Sequence, residues 1–422
     1  MFDVSLCLIA DVTGNIPFTR NPSRMSPIAC CTLRASRSSV ARVGLFALLV
    51  ASAACADPSA DAGTGVAQYE LVEVATIGGA DDEGPSAFGQ IAGVAFAPGG
   101  RIAVLDNVYH EVRLFADDGR FVSRAGREGS GPGELRSPYG LGVAPDGVIW
   151  VRDNGNGRYV RFALTGDSLQ ATTTLALSEG VQGPGIAPTF GDGGQLFHLG
   201  LASSPTGGAM TLTRFTMAVD AREPSARIAV VEPPPDSIGQ FAVAMGGGAT
   251  RYFYQPYAPL FLHTHAAGGD WARAVSSIAT VERYDVAGTL IHRVTVRPEP
   301  VALSTAEQAR ADSIIARDRA TAGRELPFSV PTRKQPLRAI YFDHAGRLWV
   351  EQSVPQGGRR LADVFDASGA PFGRVTWPAE IDLNAGALGA DLMAGVARDE
   401  LDVQRVVLLR MQAVTTRAGA TP

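Results

Sequence analysis

The sequence predicts an all-β fold: a six-bladed propeller closed by pairing of its N- and C-terminal strands, with one inserted surface helix. Two observations carry this. Residues 84–122 recur at 131–169 after a gapless shift of 47 residues, with 13 of 39 positions identical. The shared positions are turn residues (Gly84/Gly131, Pro98/Pro145, Gly119/Gly166), strand residues (Ile102/Ile149, Val104/Val151, Phe115/Phe162) and the pair Asp106-Asn107/Asp153-Asn154. A period in the forties, made of short strands and glycine-centred turns, is that of a propeller blade. The second observation is Tyr69–Ile77, YELVEVATI, which falls in the register of an outermost blade strand with no inner strands before it. It must complete a blade begun at the other end of the chain, which removes the open sheet edges.

Ahead of that strand, Met25 offers an alternative start, after which Arg34, Arg37 and Arg42 precede an apolar run of 12 residues, Val43 to Ala54. That run is too short for a bilayer core of about 30 Å, so residues 1–55 read as an export signal. Ser52, Ala53 and Ala54 before Cys55 resemble a bacterial lipobox, which makes Cys55 the lipidation site; cleavage after Ala53 or Ala56 as a soluble secreted protein is the alternative. Residues 56–67 have the composition of a flexible tether and 68–422 form the propeller. All four cysteines (Cys7, Cys30, Cys31, Cys55) lie at or before position 55, so the body after it offers no disulfide and no thiolate metal site.

The formal charge is −5, and residues 1–55 hold five arginines and two aspartates, leaving −5 − 3 = −8 for the rest. Thirty-six of the 37 basic residues are arginines, Lys334 being the one lysine, and they are scattered. An acidic body without a basic patch argues against nucleic acid as a partner and against electrostatic membrane binding; a membrane is expected only through a lipidated Cys55.

Blades follow in order at roughly 91–125 and 138–172, with FAPGGR, VAPDGV and ADDGR placing glycine where positive φ is needed. Alternation is expected in stretches such as Arg101-Ile102-Ala103-Val104. The connector 126–138 is rich in glycine but lacks the Lys-Ser/Thr ending of a phosphate loop. In the third blade MTLTRFTM (210–217) and ARIAVV supply the outer strands, and 232–257 reads as a long aromatic loop. The fourth blade carries Trp271, Val281 and Tyr284 on the positions of Ile102, Val112 and Phe115. A helix over about 304–322 follows, opened by the capping box Ser304/Glu307 and closed by Gly323. Its mixed charges predict a solvated surface insertion. The fifth blade spans about 337–377, and 381–412 lacks a fourth strand, which YELVEVATI supplies.

GRIAVLDNVYHEVRLFADDGRFV followed by GSGPGEL closely resembles the NHL repeat, and the whole layout is similar to that of bacterial six-bladed propeller lipoproteins. The resemblance implies an extracytoplasmic protein, periplasmic or membrane-anchored, with structural roles for Asp106, Asn107 and His110 in the blade turn. The second copy has Gly157 where His110 stands.

Chemistry is sparse. Gly166-Asp167-Ser168-Leu169 spells a GDSL hydrolase signature, but on a hairpin turn and with no Asp-x-x-His downstream. His263 and His265 share a strand face, as a metal pair would need, yet align with the core positions Val94 and Phe96; a buried, hydrogen-bonded pair is the expectation and a divalent metal the weaker alternative. Inner-strand positions Ala92, Tyr139, Ile186, Phe261 and Arg338 describe a binding funnel with two polar contacts, Tyr139 and Arg338. The loop adds Arg251, Tyr252, Tyr254 and Tyr257. These groups offer hydrogen bonds and flat contact area but no nucleophile or general base. The sequence thus predicts a binding or scaffold module for a protein, peptide or saccharide, with no cofactor and no catalytic residue. The alternative is a channel-metal hydrolase or lyase of the gluconolactonase or amidating-lyase type.

Overall fold

The computed structural model describes residues 66–177, 187–203, 210–230, 232–233, 235–245 and 250–414. The signal, Cys55, nearly all of the tether, and Ile186 lie outside them. Six blades are built from the described residues, each an antiparallel sheet whose first strand is innermost. Blade 1 comprises Ile91–Ala97, Arg101–Asp106, Glu111–Phe115 and Phe121–Ala125. Blade 2 comprises Pro138–Val143, Ile149–Asp153, Arg158–Thr165 and Ser168–Ala176. The repeat holds in three dimensions: Ile102 pairs with Phe115, and 47 residues on, Ile149 pairs with Phe162. Blade 3 begins with the short inner strand Thr189–Phe190 and continues through Gln195–Ser203, Met210–Ala218 and Ala226–Ala229. Blade 4 runs Phe261–His265, Trp271–Val275, Thr280–Tyr284 and Leu290–Thr295, and blade 5 runs Leu337–Phe342, Leu348–Gln352, Arg360–Phe365 and Pro371–Trp377.

Blade 6 takes Ile381–Leu388, Leu392–Arg398 and Gln404–Ala413 from the end of the chain and Gln68–Ile77 from its beginning. The closing strand runs antiparallel to its neighbour from Tyr69 opposite Ala413 to Ile77 opposite Val406. It also does something unforeseen: Gln68, Tyr69 and Glu70 pair in parallel with Arg374, Val375 and Thr376, fusing blades 5 and 6 into one eight-stranded sheet. Leu71 and Ile77 are buried, so the closure is also an apolar seam.

The core lies between blades. Leu105, Leu114, Leu141, Val151 and Phe162 fill the seam of blades 1 and 2, and Trp349, Trp377, Ile381 and Leu409 that of blades 5 and 6. Because each blade is covered on both faces, the expected alternation is absent where it was sought: Ile102, Ala103, Val104 and Leu105 are all buried. Two-sided burial, not strand irregularity, erases the period of two.

Tight hairpins gather at one end of the channel. Gly119, Gly147, Gly288 and Gly369 sit there at φ of 84 to 88°, a region open to glycine and costly for other residues. The opposite end receives every connection from an outer strand to the next inner one. Two of these are long. The connection before blade 4, expected to be a loop, contains a β-hairpin, Gln240–Ala244 paired with Thr250–Tyr254. The one before blade 5 contains the helix Thr305–Ala322, with the Ser304/Glu307 box formed and Gly323 in the left-handed region. The helix is not merely a solvated insertion. Ile315 packs with Val243 and Phe253 of the hairpin and with Leu326 and Phe328 in a small separate core. Among the described residues no helix is long and apolar enough to cross a membrane.

Candidate functional site

At the connector end of the channel the inner strands start, and there the backbone is irregular. In blade 1 the register slips between Ile91 and Gly93, in blade 2 between Pro138 and Leu141, and in blade 5 between Leu337 and Ala339. The residues set out of register are Ala92, Tyr139 with Gly140, and Arg338. In blade 6 the slip falls just after Asp382. A bulge frees one residue from the ladder and re-aims it, which is why bulges gather at rims and sites. The inner strand of blade 4 keeps its register: Phe261 pairs with Val275 and packs against Leu199, Leu212, Val230 and Trp271. Phe261 is thus engaged with the seam of blades 3 and 4 and only partly buried.

Arg338 does not stand as a simple ligand contact. Its Nε lies 2.9 Å from Glu351 Oε1 and its Nη2 lies 3.3 Å from Asp382 Oδ2. Arg360 Nη1 donates to the same Glu351 oxygen at 3.0 Å, and Tyr341 donates its hydroxyl to Oε2 at 2.6 Å. Glu351 is fully buried, and burial pushes its carboxyl up against the pull of Arg338 and Arg360. Burial, then the Glu351 charge, pushes the Tyr341 hydroxyl well above its usual range. Two cations and two carboxylates balance here, with Glu351 and Arg360 inside and Arg338 and Asp382 partly at the surface. Asp382 was missed in the sequence because blade 6 carries no legible copy of the repeat.

The hairpin residues divide rather than converge. Val243 pairs with Arg251 and Phe241 with Phe253, placing Arg251 on the packed side, its guanidinium 5.4 Å from the Phe253 ring centre. Tyr252 and Tyr254 take the other side; Tyr252 is exposed and the Tyr254 hydroxyl accepts from Gln240 Nε2 at 2.8 Å. Tyr257 turns the chain at φ 57°, with its carbonyl held by Gln335 Nε2. The strand period of two thus turns Arg251 to one side of the hairpin and Tyr252 and Tyr254 to the other.

Each histidine of the His263/His265 pair leaves one ring nitrogen without a partner among the described residues. Their rings lie 6.4 Å apart, and the two nitrogens, His263 Nδ1 and His265 Nε2, are buried. Desolvation lowers the His263 pKa to about 4. His265 is pushed well below its usual range by burial first, then by Arg214, His263 and His198. Among the described residues no three His, Cys, Asp or Glu side chains are grouped to hold a metal ion.

Asp106 is buried and structural: its carboxylate accepts from the N–H groups of Gly89, Gln90, Val108 and Tyr109, tying the blade connector to the turn after the second strand. Asn107 contributes its backbone N–H to Gln90 O, and His110 sits at φ 56° with Nδ1 against Val108 O. In the second blade Asp153 binds Arg136 N, Asn156 and Arg158 in the same place. The GDSL tetrapeptide forms the turn into the strand Ser168–Ala176, where Asp167 pairs with Arg101 of the neighbouring blade.

A family model described as a 6-bladed beta-propeller, DUF5128, matches residues 85–183. No curated protein matches the chain. Solved structures similar to it include virginiamycin B lyase from Staphylococcus aureus (10% identity, 81% of this chain and 99% of that one, TM-score 0.39). A member of the DUF4221 family from Bacteroides vulgatus matches at 11% identity over 82% and 99%, TM-score 0.45. Regucalcin, a calcium-binding protein from Agrobacterium tumefaciens, matches at 9% identity over 82% and 96%, TM-score 0.35. At such identities an activity does not transfer with the fold.

Proposed function

We propose that this propeller is an exported bacterial protein, anchored through a lipid on Cys55, that works as a binding module with its ligand seated at the connector end of the channel. The observation that supports this best is the bulge pattern. The inner strands of blades 1, 2 and 5 break register at the mouth, and in two of them the displaced residue is a tyrosine or an arginine. Displaced side chains at a rim, set beside a partly exposed ion pair, suit recognition. The tightly bound Glu351 has no exposed surface through which to act on a substrate, which disfavours its use as a base.

Two measurements test the reading. Cys55→Ser should shift the protein from the membrane to the soluble fraction; unchanged partitioning would remove the anchor. A thermal-shift screen with saccharides, short peptides and divalent cations should find a ligand whose stabilisation vanishes in Tyr139→Ala. Lactone hydrolysis by the parent, abolished by a chelator, would replace this reading with the channel-metal enzyme.

A further inference from the structure

Resting on that reading, we infer that the ligand is an uncharged, hydroxyl-rich molecule of the saccharide class, bound along the mouth of blades 5, 6, 1 and 2. The inner strands of these blades lie side by side: 337–342 beside 381–388, then 91–97, then 138–143. Their mouth positions run in order Arg338, Asp382, Ala92, Tyr139. One end of this arc therefore holds a donor and an acceptor side by side, Arg338 Nη2 and Asp382 Oδ2 at 3.3 Å, with the two side chains 28% and 35% exposed. The other end holds a tyrosine ring that is 44% exposed. The position between them is Ala92, whose side chain is a single methyl group.

Charge decides the class. Arg338, Arg360, Glu351 and Asp382 sum to zero, and Glu351 already takes both arginines at 2.9 and 3.0 Å. A charged ligand gains little here, because an anion at Arg338 also meets the Asp382 carboxylate and a cation at Asp382 also meets the Arg338 guanidinium, the two only 3.3 Å apart. A hydroxyl both donates and accepts, so it can add bonds to Asp382 and Arg338 without dismantling the quartet. Neighbouring hydroxyls on a sugar ring present the two functions side by side, as the Arg338/Asp382 edge does. The apolar face of a further sugar unit along the chain fits flat against an exposed aromatic such as Tyr139, which combines an apolar body with a polar tip. A few fixed polar groups beside an aromatic wall are the make-up of a small-molecule site.

The test is calorimetric titration of the full-chain protein with maltotetraose, cellotetraose and chitotetraose, with oligogalacturonate and tetralysine as charged comparators. At least one neutral oligosaccharide should bind, and its affinity should change less than about twofold between ~50 and ~500 mM salt, because no net charge is neutralised. Tyr139→Ala and Asp382→Asn should each weaken it about tenfold or more, while Tyr139→Phe, which keeps the ring, and Tyr252→Ala, on the hairpin, should not. Tyr139 is exposed enough that Tyr139→Ala keeps the fold, so the test stays readable if Asp382→Asn disturbs the ion quartet. Binding of only a charged comparator, lost in Tyr139→Ala, would overturn the saccharide class and leave the binding module standing. Saccharide binding indifferent to both Tyr139→Ala and Asp382→Asn would overturn this site, and with it the mouth as the ligand face. No binding by any neutral oligosaccharide would overturn the inference alone, since the ligand screen tests the module separately.

Discussion

The two ends of the channel are built by different rules. At the hairpin end the turns are closed by local bonds, with ties between blades such as Arg101–Asp167 added to them. Asp118 accepts from Arg120 N, Asp146 from Val148 N, and Asp366 from Ser368 and Ala370 N, each within four residues. At the connector end the ties are long-range: Asp106 reaches back 16 and 17 residues to Gln90 and Gly89, and Arg338 reaches forward 44 to Asp382. Exposed large hydrophobic residues occur at both ends: Val108, Tyr109, Tyr139, Ile278 and Leu401 at the connector end, with Leu401 79% exposed, and Val66, Val286 and Val414 at the hairpin end. Local turns can be repeated cheaply around a ring. The end that must differ from blade to blade, to make one site out of a symmetric frame, is the one that carries insertions and bulges.

The comparison can be broken most severely by opening the ring. Deleting 68–77 removes a strand paired on both sides, to 404–413 and to 374–376, and the buried Leu71 and Ile77 with it. The expected outcome is loss of cooperative unfolding and aggregation seen by light scattering; an unchanged melting curve would mean that the closure carries no stability. Next in size is the connector-end quartet. Glu351→Ala leaves Arg338 and Arg360 without their shared carboxylate and should cost about 3–5 kcal/mol by denaturant titration. A loss below about 1 kcal/mol would show that Asp382 alone can hold both arginines.

Acid should expose the seam between blades 3 and 4. His263 titrates near 4 when folded against 6.5 when free, so between those values the unfolded chain binds a proton that the folded chain does not. Its contribution is therefore fully present above pH 6.5 and lost as the pH falls toward 4, on the order of 3 kcal/mol from this residue. The double variant His263→Val, His265→Phe, which installs the blade 1 residues Val94 and Phe96, should flatten the stability profile over that window. An equally steep profile in the variant would place the acid sensitivity elsewhere. The smallest effect is expected at the rim: Tyr139→Ala should change stability by no more than about 0.5 kcal/mol, the range of exposed positions. A larger loss would mean that this ring contributes to the packing of the fold.

Much of the frame was legible because its signals are local and repeated. Gly119 and Gly166 recur at 47 residues because each tight turn needs a residue at positive φ, and Ser304 with Glu307 caps a helix from within one turn. The missing strand of blade 6 could be counted, and its partner at 404–413 inferred, because a ring must close. What failed was whatever depended on register or on a distant partner. Phe261 and Arg338 occupy the same position in the repeat, yet one is paired and packed into a seam while the other is bulged out toward Asp382. A one-residue slip decides that, and a slip leaves no mark in composition.

The sequence by itself therefore determined the number of blades, the way the ring is shut, and the hairpin end of the channel, since turn chemistry, period and strand count all act within one repeat. Only the tertiary structure decided the connector end. It folded 240–254 into a hairpin against Ile315, bound Arg338 into a neutral quartet, left His263 Nδ1 and His265 Nε2 buried without partners among the described residues, and set Asp382 beside Arg338. Burial and charge pairing across blades are properties of the assembled ring, and each depends on residues that no single repeat contains.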